Sequence, residues 1–223
     1  MARLRYIGLF ARNIKDAYSV IRELRRLKVP FVLLGDGDKV PRHVRAVIGC
    51  GGAMEGVSDG RWVEYGGDPR RTALRALSLA TGKLEFKEVV VGVDPGKRAG
   101  IATIADGELI EAYAVPGESL QRELLEILGA YPASKILFRI GTGMPMADWM
   151  EGFALACSQS GNASVQFVDE GGEKPPTGFM RKGIGKDAKS AVSIALSGGI
   201  TSRSRRAPAS RRQGRPRPGA SSL

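Results

Sequence analysis

Residues 88–115, EVVVGVDPGKRAGIATIADGELIEAYAV, restrict the fold of this chain more than any other stretch. Val89–Val93 is an apolar run of strand length, and the turn residues Asp94-Pro95-Gly96 stop it. A second apolar run, Gly100–Ala105, leads into Asp106-Gly107, the dipeptide that suits a two-residue hairpin turn. Leu109–Val115 then forms a third strand, so the spacing predicts an antiparallel meander whose first, buried strand ends in a carboxylate. Such a carboxylate must be hydrogen-bonded or bound to a cation, because burying it alone is expensive. Asp94 therefore either bonds the backbone of its own turn, as Asp does before Pro-Gly, or serves as a ligand.

The elements around the meander read as α/β. Downstream, SLQRELLEILGAYP is a helix with Ser119 as its N-cap candidate and Gly129 near its end. KILFRI is a fourth strand, MADWMEGFALACSQS a helix, VQFV a fifth strand and DAKSAVSIALS a last helix. Upstream, LRYIGLF and PFVLLG are strands flanking a helix in which Ile14, Ala17, Val20, Ile21, Leu24 and Leu27 recur at helical spacing. Strand, helix, strand predicts a right-handed parallel crossover. RAVIGC is a third strand, and DPRRTALRALSLATG a helix opened by Asp68 and Pro69 and closed by Gly82. The seam falls at residues 82–88, which gives a smaller α/β domain over 1–87 and a second domain over 88–200.

Charge separates a third segment. The net charge is +11, and residues 201–223 hold seven arginines and no acid, leaving +4 for residues 1–200. This tail, rich in Pro, Ser, Gly and Arg, lacks the apolar surface that offsets ordering entropy and reads as disordered. Its arginines suit phosphate backbones. No apolar run reaches the roughly 18 residues of a membrane span, and the N-terminus does not resemble a signal peptide. Two cysteines, Cys50 and Cys157, make no disulfide framework, so a cytoplasmic protein with no membrane partner is expected.

Two further acidic positions accompany Asp94. Asp169 and Glu170 follow the apolar run VQFV, and strand alternation sends them to opposite faces, so one of the two would reach Asp94's crevice. Asp187 begins the last apolar helix, where an N-cap role is the simpler account. Oxygen-only ligands at strand and helix ends suit Mg²⁺ or Mn²⁺, and two such ions can drive phosphodiester cleavage. Other chemistries fit less well. Gly56-Val57-Ser58-Asp59-Gly60 matches a nucleophile elbow, but the only histidine, His43, precedes it. Gly183–Ala188 matches a dinucleotide motif by letter without following a strand directly. One His and two distant Cys argue against zinc. Gly141 and Gly143 after the fourth strand could hold a phosphate, or form a loop.

VGVDPGKRAGIAT, ILFRIGTGMP, VQFVDEGGEKPPTG and RKGIGKDAKSAVSIAL stand in the order found in the YqgF-like, RuvC-related nucleases of the ribonuclease H-like superfamily, which residues 88–198 resemble. The resemblance implies a C-terminal ribonuclease H-like mixed five-stranded sheet with helices. It makes Asp94 the first metal ligand, Glu170 with Asp169 beside it the second, and Asp187 the third. Lys97, Arg98, Lys174, Arg181, Lys182, Lys186 and Lys189 would meet DNA or RNA. The family's Asp-Glu-Arg stretch has Gly171 in place of its Arg, and Arg139 stands where RuvC-type resolvases carry an acid. The implied function is a Mg²⁺- or Mn²⁺-dependent nuclease on structured nucleic acid, Holliday-junction-resolvase-like or RNA-processing. The alternatives are a non-catalytic nucleic-acid-binding protein on the same fold and, third, an actin-like or sugar-kinase-type phosphotransferase. Residues 1–87 lie outside the resemblance and could serve dimerisation, with a homodimer as one expectation.

Overall fold

In a computed structural model, described over residues 6–57, 59–142, 149–169, 179 and 183–197, the chain builds two sheets. The first holds β1 (Tyr6–Ala11), β2 (Phe31–Leu34), β3 (Val44–Cys50) and β4 (Trp62–Glu64), all parallel in the order β2-β1-β3-β4. Helix α1 (Ile14–Arg26) links β1 to β2, and the side chain of Asn13 caps it by accepting from the Lys15 and Asp16 amides. Helix α2 (Pro69–Ala80) opens as its sequence dictates, with Asp68 accepting from the Arg71 amide at 3.0 Å and Pro69 in the first turn. Ala17, Val20, Leu24 and Leu27 are buried as the periodicity predicts, but Ile14 is 81% exposed because the helix starts clear of the core. Strand β4 was not expected; three residues are too few to show an alternation.

The second sheet is mixed. It holds β5 (Val89–Asp94), β6 (Arg98–Ala105), β7 (Glu108–Pro116), β8 (Ile136–Gly141) and β9 (Ala163–Val168), in the order β7-β6-β5-β8-β9. The pairs β5–β6 and β6–β7 are antiparallel, while β5, β8 and β9 run parallel. This is the ribonuclease H-like arrangement, so the expected fold class stands. Asp106 and Gly107 both take positive φ, +48° and +81°, as the tight hairpin turn requires. The Asp106 carboxylate also accepts from the Lys87 and Glu88 amides, fastening the turn to the start of β5.

Helices α3 (Leu120–Ala130) and α4 (Trp149–Ser160) pack on one face of this sheet. Val89, Val91 and Val93 point there, into one continuous core shared with Leu124, Ile127, Phe138 and Phe153 and with α1 and α2 of the first unit. Phe138 and Phe153 meet edge to face at 4.9 Å. Residues 83–88 are tied in as well: Phe86 is buried, donates to the Pro132 carbonyl and accepts from the Ser134 amide. Helix α5 (Lys186–Leu196) covers the opposite face through a smaller cluster of Ala102, Ile104, Leu109, Ala191, Val192 and Ala195. Ser119 stands at the start of α3 but makes no capping bond with its side chain. Residues 198–223, the arginine-rich segment among them, lie outside the described residues.

Candidate functional site

On the face of the second sheet under α5, the backbone of Asp187 lies against Gly100, the register partner of Asp94. Asp94 is the last residue of β5 and pairs with Gly100 of β6. Alternation sets Asp94 on the same face as Gly92, where any added Cβ would run into Ala191 and Ala195 of α5. A Cβ at Gly100 would collide with the backbone carbonyl of Asp187. Asp187, Ala191 and Ala195 form one four-residue row along the helix, and Gly100 and Gly92 supply the trench in which that row lies. The helix backbone can therefore approach the sheet closely enough to deliver Asp187 beside the residue paired with Asp94.

Asp187 is free of the capping role its position suggested. The helix begins two residues earlier than an Asp187 cap would set it, at Lys186 with Gly185 at the N-cap, so Asp187 lies inside the first turn. An acid there is favoured by the helix dipole and leaves its carboxylate pointing outward to other partners. One such partner is Arg98, whose Nε stands 3.6 Å from Asp187 Oδ2. Asp94 and Asp187 are both partly accessible, while Lys97, Arg98, Lys186 and Lys189 around them are exposed. The hairpin and the helix start thus form a basic rim around two carboxylates.

The other expected ligands divide. Val168, at the end of β9, pairs with Gly141 at the same sheet edge as Asp94, and Asp169 follows it, exposed. Since β5, β8 and β9 are parallel, this is the carboxyl edge, where open α/β sheets place their sites. Glu170, Lys174, Arg181, Lys182 and Gly143 lie outside the described residues. Among the described residues no three His, Cys, Asp or Glu side chains gather as a metal-binding group. Arg139 has a different task from an acid at that position. It reaches over the sheet so that Nη1 donates to the Ala195 carbonyl at 2.6 Å, and Nε donates to Gln166 Oε1 at 3.3 Å. It thereby fixes the C-terminal end of α5, where a cation also meets the negative end of the dipole.

No protein-family model and no curated protein matches the sequence. Among solved structures, the chain is similar to the crystal structure of A. aeolicus Argonaute at 15% identity and a TM-score of 0.26, over 74% of this chain and 33% of that one. The structure of Aa-Ago with externally bound siRNA gives 13% identity and a TM-score of 0.23, over 75% and 35%. The chain spans about a third of the length of these structures. Among the described residues no helix is long and apolar enough to cross a membrane.

A second polar cluster, unforeseen in the sequence, joins the two units. Glu111 of β7 has a side chain only 4% exposed. One of its oxygens pairs with Arg26 of α1; the other accepts from Arg70 of α2 at 3.0 Å and from the Tyr131 hydroxyl at 2.7 Å. Arg70 also donates to Glu123 at 2.6 Å and to the Tyr113 hydroxyl at 2.9 Å, and Tyr113 donates to Glu123. Burial and then the Glu111 charge push the Tyr113 and Tyr131 hydroxyls above the ordinary tyrosine value. Burial alone would raise Glu123, but hydrogen bonds from Tyr113 and Arg70 outweigh it and hold the carboxyl low. The cluster borders a cleft of about 520 Å³. Each of these side chains bonds another, although Arg70 Nε is buried without a hydrogen-bond partner among the described residues, and the cluster fastens the units together. The sequence signal was an acid, Glu111, inside an otherwise apolar strand.

Proposed function

We propose that this chain is a metal-dependent nuclease of the RuvC-related, ribonuclease H-like type, acting on structured DNA or RNA. The observation that supports it is the delivery of Asp187 by α5 onto Gly100, opposite Asp94, at the carboxyl edge of the sheet. Two partly accessible oxygen donors suit Mg²⁺ or Mn²⁺, which ordinarily bind through one or two carboxylates plus phosphates. Asp169 or Glu170 would add the third carboxylate. When bound, such an ion polarises the scissile phosphate and lowers the pKa of the attacking water.

The chain's own residues would do the rest. Asp94 sits on a strand and Asp187 in a helical turn, both rigid elements, so their carboxylates need little reorganisation. Lys97 and Arg98 on the hairpin, with Lys186 and Lys189 on the helix, would hold the backbone on either side of the reacting phosphate. A nuclease confined to this chemistry needs no histidine, in keeping with His43 lying on the first unit.

Cleavage of branched and single-stranded substrates with Mg²⁺ or Mn²⁺ tests the reading. Asp94→Asn and Asp187→Asn should each abolish cleavage while nucleic-acid binding persists. Binding without cleavage in the unaltered protein, under every metal tried, would leave the non-catalytic reading in its place. That second reading has one observation of its own: the Arg98 guanidinium already sits at Asp187.

A further inference from the structure

We infer that Arg98 is a displaceable counterion of Asp187, giving way to the divalent ion and then turning to the nucleic-acid backbone, so that metal and nucleic acid bind cooperatively through it. The inference rests on the metal-dependent reading above and adds the residue that couples its two ligands.

Arg98 opens β6 two residues before Gly100, and alternation sets both on the face that α5 covers. Its Nε lies 3.6 Å from Asp187 Oδ2, beyond hydrogen-bond range, so charge alone holds the pair. Both side chains meet solvent, Arg98 at 75% and Asp187 at 37% exposure. An exposed pair of this kind contributes little, and little opposes its exchange for a divalent ion. The contrast with Arg70 is informative. Arg70 is 11% exposed and bound by Glu111, Glu123 and Tyr113 together, which is how this protein immobilises an arginine. Among the described residues Arg98 has one loose ion pair, and that pair is with a candidate metal ligand.

A guanidinium and a metal ion compete for the same carboxylate charge. An ion arriving at Asp187 therefore releases Arg98, whose planar fork matches two phosphate oxygens. Nucleic acid that captures the released guanidinium removes the competitor from Asp187. By linkage each ligand then strengthens the other by the same factor.

The test measures Mn²⁺ affinity on the full chain, from the electron paramagnetic resonance of free Mn²⁺, without nucleic acid. Arg98→Met should tighten Mn²⁺ by roughly three-fold, the scale of an exposed pair. Lys97→Met, which removes the same charge from the adjacent residue, should change it by less than about half as much in logarithmic terms. Binding of a phosphorothioate single strand, which resists cleavage, is then followed by fluorescence anisotropy with and without Mn²⁺. Mn²⁺ should strengthen binding in the unaltered protein, Arg98→Met should lose about half of that enhancement or more, and Arg98→Lys should restore part of it. Equal effects of Arg98→Met and Lys97→Met on Mn²⁺, or an undiminished enhancement in Arg98→Met, would overturn the role of Arg98. Asp94→Asn and Asp187→Asn separate the two levels: if neither weakens Mn²⁺ binding, the metal site itself fails along with the coupling.

Discussion

At the scale of residues, two glycines decide whether the site exists. Gly100 and Gly92 let a helix backbone lie directly on strands β6 and β5, and the row Asp187, Ala191, Ala195 is small enough to use that room. Gly100→Ala would thrust a methyl group at the Asp187 carbonyl, which is backbone and cannot swing away. Overpacking of this kind costs about 1–3 kcal/mol, so the urea midpoint should fall with an unchanged m-value. Mn²⁺ affinity should fall with it, because the first turn of α5 must lift. A Gly100→Ala protein with an unshifted midpoint would mean that α5 is seated elsewhere. Asp94 stands out in the sequence as a candidate, since a carboxylate closing an apolar strand has few inexpensive explanations. Gly92 and Gly100 do not, because a glycine's lack of a side chain gains meaning only when the partner that approaches it is known. The role of Asp187 could not be read either, as the N-cap and its place in the first turn are only two residues apart.

At the scale of elements, the directions of the strands followed from local chemistry. The Asp106-Gly107 turn fixes β6 against β7, and the apolar runs with their intervening helices force β8 and β9 parallel to β5. What local patterns could not show is which face each helix takes. Among the described helices α5 is the one on its face, and its C-terminal end depends on a residue from β8, the strand beyond β5. Arg139 donates to the Ala195 carbonyl from β8, where its register partner on β5 is Gly92. Arg139→Met keeps the apolar stem and removes the donor. The loss should cost about 1–2 kcal/mol, and it should appear locally. Amide hydrogen exchange would accelerate in the last turn of α5, near residues 193–197, while β5 and β8 keep their protection. Uniform acceleration across the sheet would assign Arg139 to the global fold instead.

At the scale of the whole molecule, charge does two separate jobs. The first is internal. Glu111 holds Arg26 and Arg70 from two helices of the first unit, so the units are joined by ions and tyrosines as well as by the shared core. Removing one partner of a buried pair leaves the others uncompensated at about 3–5 kcal/mol, and Glu111→Ala should lower the melting temperature accordingly. The same cluster sets a pH window. Glu123 is held below its ordinary value, so its contribution is complete above about pH 4.3 and is lost as pH falls through the folded value. Tyr113 is raised, so its contribution is complete below about pH 10 and is lost as pH rises beyond it. Urea midpoints should therefore decline at both ends of the range, and Glu123→Gln should flatten the acid limb alone. The second job belongs to the proposed binding of nucleic acid, and its test follows from where the charge lies. With seven arginines in residues 201–223, most of the net +11 is concentrated in about a tenth of the chain. If these arginines meet phosphates, removing residues 201–223 should lower the slope of log affinity against log salt by roughly 5 to 6, at 0.7 to 0.9 per contact. The affinity left at low salt would then report the hairpin and α5 lysines by themselves. It should respond to Lys186→Ala and Lys189→Ala, each reducing the remaining slope by about 1. An unchanged slope after truncation would remove the arginines from the interface and assign all of the binding to the rim around Asp94 and Asp187.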